Sequence, residues 1–213
     1  MIYTYCYLDL PHPPASVIES AYHTIREGDV NKLAISTITV PGFKEYLNRN
    51  ITTKDGKKIK SAGHKRYNIS EEFIHWVKNI ALQDSNGCGI AIFDNISSSY
   101  APHVDATRNY TLIYLLDQGG DAVDTVWYKQ KGYPIERPDL KLNFDLNKVI
   151  NDYSQIEEID RHRIPLKKWI CINSSILHSI ENLTRPRVAI QLSRNDPPVH
   201  IKSFNMSLIK NYE

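Results

Sequence analysis

Seven short runs decide the fold: GCGIAIFD (87–94), NYTLIYLLDQGG (109–120), DTVWYKQKG (124–132), YSQIEEID (153–160), KKWICINSS (167–175), ILHSIEN (176–182) and PRVAIQLS (186–193). Each is rich in β-branched and aromatic residues and bounded by turn formers such as Gly, Asn, Asp, Ser or Pro, the pattern of strands joined by turns. Coming after two helical segments, they describe a mainly β (α+β) chain: an antiparallel sandwich or barrel with the helices packed on one outer face. In PRVAIQLS, the period of two places Arg187, Ala189, Gln191 and Ser193 on one face and Val188, Ile190 and Leu192 on the other. Trp127 and Tyr128 must likewise point to opposite faces.

Upstream of these runs, MIYTYCYLDL at the start of the chain alternates like a strand. A Pro-rich turn (Pro11, Pro13, Pro14) then precedes residues 15–27, where Val17, Ile18, Ala21, Tyr22 and Ile25 mark one face of a helix. A β-branched strand is expected over residues 33–40. A second helix is expected from Ser70 as N-cap, with Glu71 and Glu72 in its first turn and Phe73, Trp76, Val77, Ile80 and Ala81 as its apolar stripe. Between them, residues 51–68 carry Lys54, Lys57, Lys58, Lys60, Lys65 and Arg66 against Asp55 alone, and residues 54–66 read as a basic loop, either solvated or a lid.

Composition narrows the function. The 213 residues fit one domain with a single core, and 41% apolar against 23% charged residues argue against disorder. A net charge of +2 gives no bulk reason to expect nucleic acid as partner. No run of residues has the length or apolarity of a membrane span, and no basic segment leads into an apolar one at the start, so a soluble, cytoplasmic protein is expected. Cys6, Cys88 and Cys171 are widely spaced and form no CxxC, which suggests neither a disulfide framework nor a cysteine-bound zinc.

Chemistry concentrates at His103-Val104-Asp105. On an extended segment, side chains two apart point the same way, so an imidazole and a carboxylate stand side by side. His178, in the run 176–182, is the expected third ligand. Two histidines and one carboxylate on one face of an octahedral ion leave three adjacent positions open, which suits non-haem Fe(II); zinc would more often recruit a third His or Cys. Arg187 starts the strand after His178 with its side chain on the polar face, and a guanidinium there is a bidentate receptor for a carboxylate. Arg185 shares its parity but precedes Pro186 and is expected in the turn. The remaining histidines have no companion ligand at strand or helix spacing.

With HxD, a distal histidine and then an arginine, in that order and on strands, residues 87–193 resemble the Fe(II)- and 2-oxoglutarate-dependent dioxygenases. Arg108 after the HxD, the TVWY strand and the turn NSSILHSIEN are also similar to that family. The resemblance implies a double-stranded β-helix, or jelly roll, spanning residues 87–204 and supported by residues 1–86, the whole of 1–213 being one dioxygenase-like domain. It implies that His103, Asp105 and His178 hold Fe(II). It further implies that 2-oxoglutarate chelates the iron and is gripped at its far carboxylate by Arg187, with Tyr114 and Arg108 as further cosubstrate contacts. Oxidative decarboxylation to succinate and CO2, with O2 as oxidant, would then drive hydroxylation of a small molecule or a peptide side chain. A catalytically silent jelly-roll binding module is the alternative. The nucleic-acid-demethylating branch typically carries a second arginine where this chain has Ser193.

Overall fold

The computed structural model describes residues 3–27, 50–52, 55–60, 64–67, 71–79, 87–93, 100–105, 108–132, 153–197 and 201–204. Thirteen strands are seen there: β1 (Tyr5–Leu8), β2 (Asn50–Thr52), β3 (Lys58–Lys60), β4 (His64–Tyr67), β5 (Gly87–Phe93), β6 (Tyr100–His103), β7 (Tyr110–Gln118), β8 (Asp124–Gln130), β9 (Ile156–His162), β10 (Trp169–Asn173), β11 (Leu177–Glu181), β12 (Arg187–Arg194) and β13 (Ile201–Phe204). Helix α1 spans Ala15–Glu27 and α2 spans Glu71–Asn79. Each of the seven runs contains one strand. The strand expected over 33–40, the cap at Ser70 and the end of the second helical stripe at Ile80 and Ala81 lie outside the described residues.

Every strand pair is antiparallel. A seven-stranded sheet has the order β13-β1-β10-β7-β12-β5-β4, a four-stranded sheet the order β6-β11-β8-β9, and β2 and β3 form a separate hairpin. The two larger sheets face each other in a jelly-roll-like sandwich, with the helices outside the larger one. Tyr5, Ile113, Leu115, Ile170, Ile172 and Ala189 of the larger sheet meet Trp127 of the smaller between the layers. On the other face of the larger sheet, Leu112, Tyr114, Leu116, Trp169, Cys171, Val188, Ile190 and Leu192 pack under Val17 and Ala21 of α1.

Helix α1 is laid down by the Pro-rich turn before it: Val17 N–H donates to Pro14 O at 3.0 Å, and Trp169 Nε1–H ties Pro11 O to β10 at 2.9 Å. Trp76 of α2 stacks near Trp169, ring centres 6.4 Å apart, and Ser16 Oγ donates to Glu72 Oε1 at 2.7 Å, so the two helices form one layer. Burying each large apolar side chain in this way stabilises the fold by about 1.5–3 kcal/mol.

Two expectations need correction. Residues 54–66 are not a plain loop: β3 closes a hairpin with β2, and β4 is the edge strand of the larger sheet, paired with β5. Lysine and arginine are at home on such an edge because they discourage pairing with another chain. The division at residue 86 does not follow the sheets either, since β1 lies inside the larger sheet between β10 and β13. Its backbone needed two partners, and the chain found both more than 150 residues downstream.

Candidate metal and acid-binding site

The smaller sheet delivers both histidines. His103 ends β6 and His178 lies on β11, and the two are cross-strand partners with ring centres 4.4 Å apart. Asp105 follows two residues after His103. Its backbone N–H donates to Ser174 O at 3.0 Å, so the turn ahead of β11 fixes both the HxD segment and the distal histidine. His103 Nε2 and Asp105 Oδ1 are 3.6 Å apart. Donor atoms of His103, Asp105 and His178 all lie within 4.8 Å of one another. Two adjacent donors, each about 2.1 Å from an octahedral ion, would stand about 3 Å apart, so a small inward adjustment brings this set to bonding distance.

Hydrogen bonds leave the right atoms free. His178 Nδ1–H donates to Ile176 O at 2.9 Å, which fixes the tautomer and turns Nε2 toward the other two ligands. Burial, with His103 beside it, lowers the His178 pKa to about 4, so the ring is neutral and able to ligate at physiological pH. Burial would raise the Asp105 pKa, but the Arg108 guanidinium, with His103 and His178 behind it, holds the carboxyl well below the usual range. Arg108 Nε–H donates to Asp105 Oδ2 at 2.7 Å and Thr111 Oγ1 to the same oxygen at 3.4 Å. Oδ1 remains for a cation. The donor set, two imidazoles and one ionised carboxylate, fits a hard-to-borderline divalent metal such as Fe(II).

Arg187 enters from the larger sheet. It is 2% exposed, and its one hydrogen bond is from Nη2 to Thr125 Oγ1 at 3.4 Å. Burial pulls its pKa down to about 10, partly offset by Asp124, and the group stays charged at neutral pH. Asp124 itself is taken by Arg161 and Arg163. A buried guanidinium without a carboxylate partner among the described residues is costly unless an anion completes it. Thr125 lies two residues along β8 from Trp127, the cross-strand partner of His178, a step of about 6.7 Å on a strand.

Glycine makes this approach possible. Gly119, with φ of +81°, turns the chain between β7 and β8, and a Cβ there would stand 2.7 Å from Arg187 Cβ and from Leu183 Cδ2. Its carbonyl accepts from Thr184 N–H and Arg185 N–H at 2.8 and 2.9 Å, holding the segment that leads into β12. Arg185 sits in that turn, exposed, and pairs with Asp117 and Asp121.

One expected contact falls elsewhere. Tyr114 is opposite Ile190 in register and packs with it on the helix-facing side of the larger sheet, where its hydroxyl meets His12 Nδ1 at 2.9 Å. Tyr110 packs on the same side, which is not the face that carries Arg187. Arg108, expected as a cosubstrate contact, lies at the cluster and bridges Asp105 and Ser193, donating to Ser193 Oγ at 3.1 Å. Thr111, Thr125 and Ser193 were overlooked as site residues, although Ser193 shares the alternation of Arg187 and Thr125 that of Trp127. His162 is structural, stacked on Tyr5 at 4.1 Å and bonded to Tyr7 Oη at 2.9 Å.

No family model matches this chain, and no curated protein matches it. Among solved structures, a prolyl-4-hydroxylase from Pseudomonas putida is similar at 11% identity and a TM-score of 0.45, over 91% of this chain and 94% of that one. The functional reading therefore rests on the residues themselves. No helix among the described residues is long and apolar enough to cross a membrane.

Proposed function

We propose that this chain is an Fe(II)- and 2-oxoglutarate-dependent dioxygenase, residues 1–213 acting as one domain, that hydroxylates an amino-acid side chain or a small metabolite. The observation that carries the reading is Arg187: a buried guanidinium with no carboxylate partner among the described residues, bonded to Thr125, which lies one strand repeat along β8 from the register partner of His178. His103, Asp105 and His178 would hold Fe(II) on one face, leaving the opposite positions for exchangeable ligands. Bound iron with 2-oxoglutarate supplies oxidising power from O2, releasing succinate and CO2. Arg187 binds the far carboxylate of the cosubstrate and so fixes its orientation. Arg108 and Thr111 hold Asp105 to one oxygen, and the Ile176 carbonyl holds the His178 ring.

The test is turnover and binding together. Protein supplied with Fe(II), ascorbate and 2-oxoglutarate is expected to release succinate slowly without a prime substrate. Arg187→Leu is expected to weaken 2-oxoglutarate binding by at least about 100-fold, in line with loss of a buried charge-assisted contact. Absence of any succinate from iron-loaded protein, or unchanged cosubstrate affinity in the variant, would overturn the proposal and favour a silent binding module.

A further inference from the structure

Two buried polar atoms inside the sandwich have no part in the site as described. Trp127 Nε1 and Gln191 Oε1 lack hydrogen-bond partners, and their residues are 0% and 7% exposed. Proteins seldom leave such groups unpaired, because their lost hydration is not repaid.

Their positions share a logic. On β8, Trp127 is the register partner of His178 and lies one strand repeat from Thr125, the residue Arg187 touches. On β12, Gln191 lies between Arg187 and Ser193, and Ser193 is linked through Arg108 to Asp105. By register, the two residues thus stand on the inner faces of opposite sheets, Trp127 level with His178 and Gln191 between Arg187 and Ser193. Trp127 stands between His178 and Asp160, and Asp160 accepts from Thr4 Oγ1; the strands beside Gln191 offer it little. Gln191 has Ile113 on one side and Gly89, which has no side chain, on the other. Tyr5 stacks on Trp127 with ring centres 5.6 Å apart and the planes 23° from parallel, which covers the indole face and leaves its edge to point.

We infer that Trp127 and Gln191 are cosubstrate-binding residues, the indole N–H and the side-chain amide hydrogen-bonding to oxygens of the keto acid that spans the metal cluster and Arg187. A carboxamide can present either its NH2 or its oxygen, so Gln191 serves a carboxylate as donor. The assignment rests on the dioxygenase reading and extends it to how the acid is gripped along its length. Two polar groups paired with the acid in this way select against acids that lack matching oxygens, since each would again be left unpaired.

The experiment uses the full chain with Mn(II) replacing iron, so that binding is measured without turnover. Calorimetry gives the affinity for Mn(II) alone and for 2-oxoglutarate on the Mn(II) form, for the parent protein, Trp127→Phe, Gln191→Met and the helix-facing control Tyr114→Phe. Trp127→Phe and Gln191→Met are expected to keep their Mn(II) affinity and to bind 2-oxoglutarate roughly 5–20-fold more weakly, the loss of about one hydrogen bond each, while the control is unchanged. In the unmutated, ¹⁵N-labelled protein loaded with diamagnetic Zn(II), the Trp127 indole resonance is expected to move when 2-oxoglutarate is added. Unchanged affinities in Trp127→Phe and Gln191→Met with a stationary indole signal would overturn the inference alone, leaving Arg187 as the sole grip. If the parent protein binds no 2-oxoglutarate in the metal-loaded state, the dioxygenase reading falls and takes this inference with it.

Discussion

At its centre, in β10 and β12, the seven-stranded sheet is buried on both faces, whereas the outer face of the four-stranded sheet mixes buried residues such as Val126 and Tyr128 with a network of charges. All eight residues of β12 and all five of β10 are buried. On the smaller sheet, Arg161 instead reaches Glu158, Asp124 and Glu181 at 2.8–3.1 Å, and Arg163 shares Asp124. The difference explains an inversion in β12. Its apolar residues Val188, Ile190 and Leu192 face the helices, and Arg187, Gln191 and Ser193 face into the sandwich. Because the helix layer already supplies apolar burial, the inner face of that strand is free to carry polar groups. The smaller sheet, lacking an outer layer of helices among the described residues, keeps inward apolar residues next to its two ligands.

Three substitutions would break or sharpen this contrast. The largest effect is expected at the ligands of the smaller sheet. His178→Ala should lower metal affinity by more than about 100-fold, beyond the 10–100-fold typical of groups that only support a ligand, as read by competition with a fluorescent chelator. An affinity within tenfold of the parent protein would mean that the cluster is not a metal site.

Next comes the helix-facing side of the larger sheet. Ile190→Ala should destabilise the protein by about 2–5 kcal/mol in urea unfolding, since Ile190 is fully buried under α1. Metal affinity of the folded protein should be unchanged. Coupled losses of stability and metal binding would show that the two faces of this sheet do not act separately.

The smallest effect is expected at the outer face of the smaller sheet. Arg161 is 34% exposed, and solvent screens its ion pairs. Arg161→Met should cost about 1 kcal/mol or less, shrinking as salt is raised, when unfolding is compared at low and high ionic strength. A salt-independent loss as large as that of Ile190→Ala would place this network with the core rather than the surface.

Much of this was legible in the sequence, and what was not has identifiable causes. Strands and α1 were visible because turn formers punctuate runs of β-branched residues and because residues 15–27 keep a helical period. The HxD pair with His178 was visible as chemistry. Parity alone could not choose a face for Tyr114, because a strand buried on both sides has no polar side to serve as reference. Arg187 escaped that ambiguity, since its strand alternates polar with apolar. The edge strand β4 was hidden by its own lysine and arginine, which suit an edge as well as a loop. The place of β1 was hidden because pairing between distant segments leaves no local mark.

That first strand carries a consequence for how the molecule is made. Asn173 Nδ2 donates to Tyr3 O, 170 residues away along the chain, and β1 takes its two ladders from β10 and β13. On a ribosome adding about 5–20 residues per second, the opening segment waits on the order of ten to thirty seconds for its neighbours. Removing it would take an interior plank from the larger sheet and leave β10 and β13 without the strand between them.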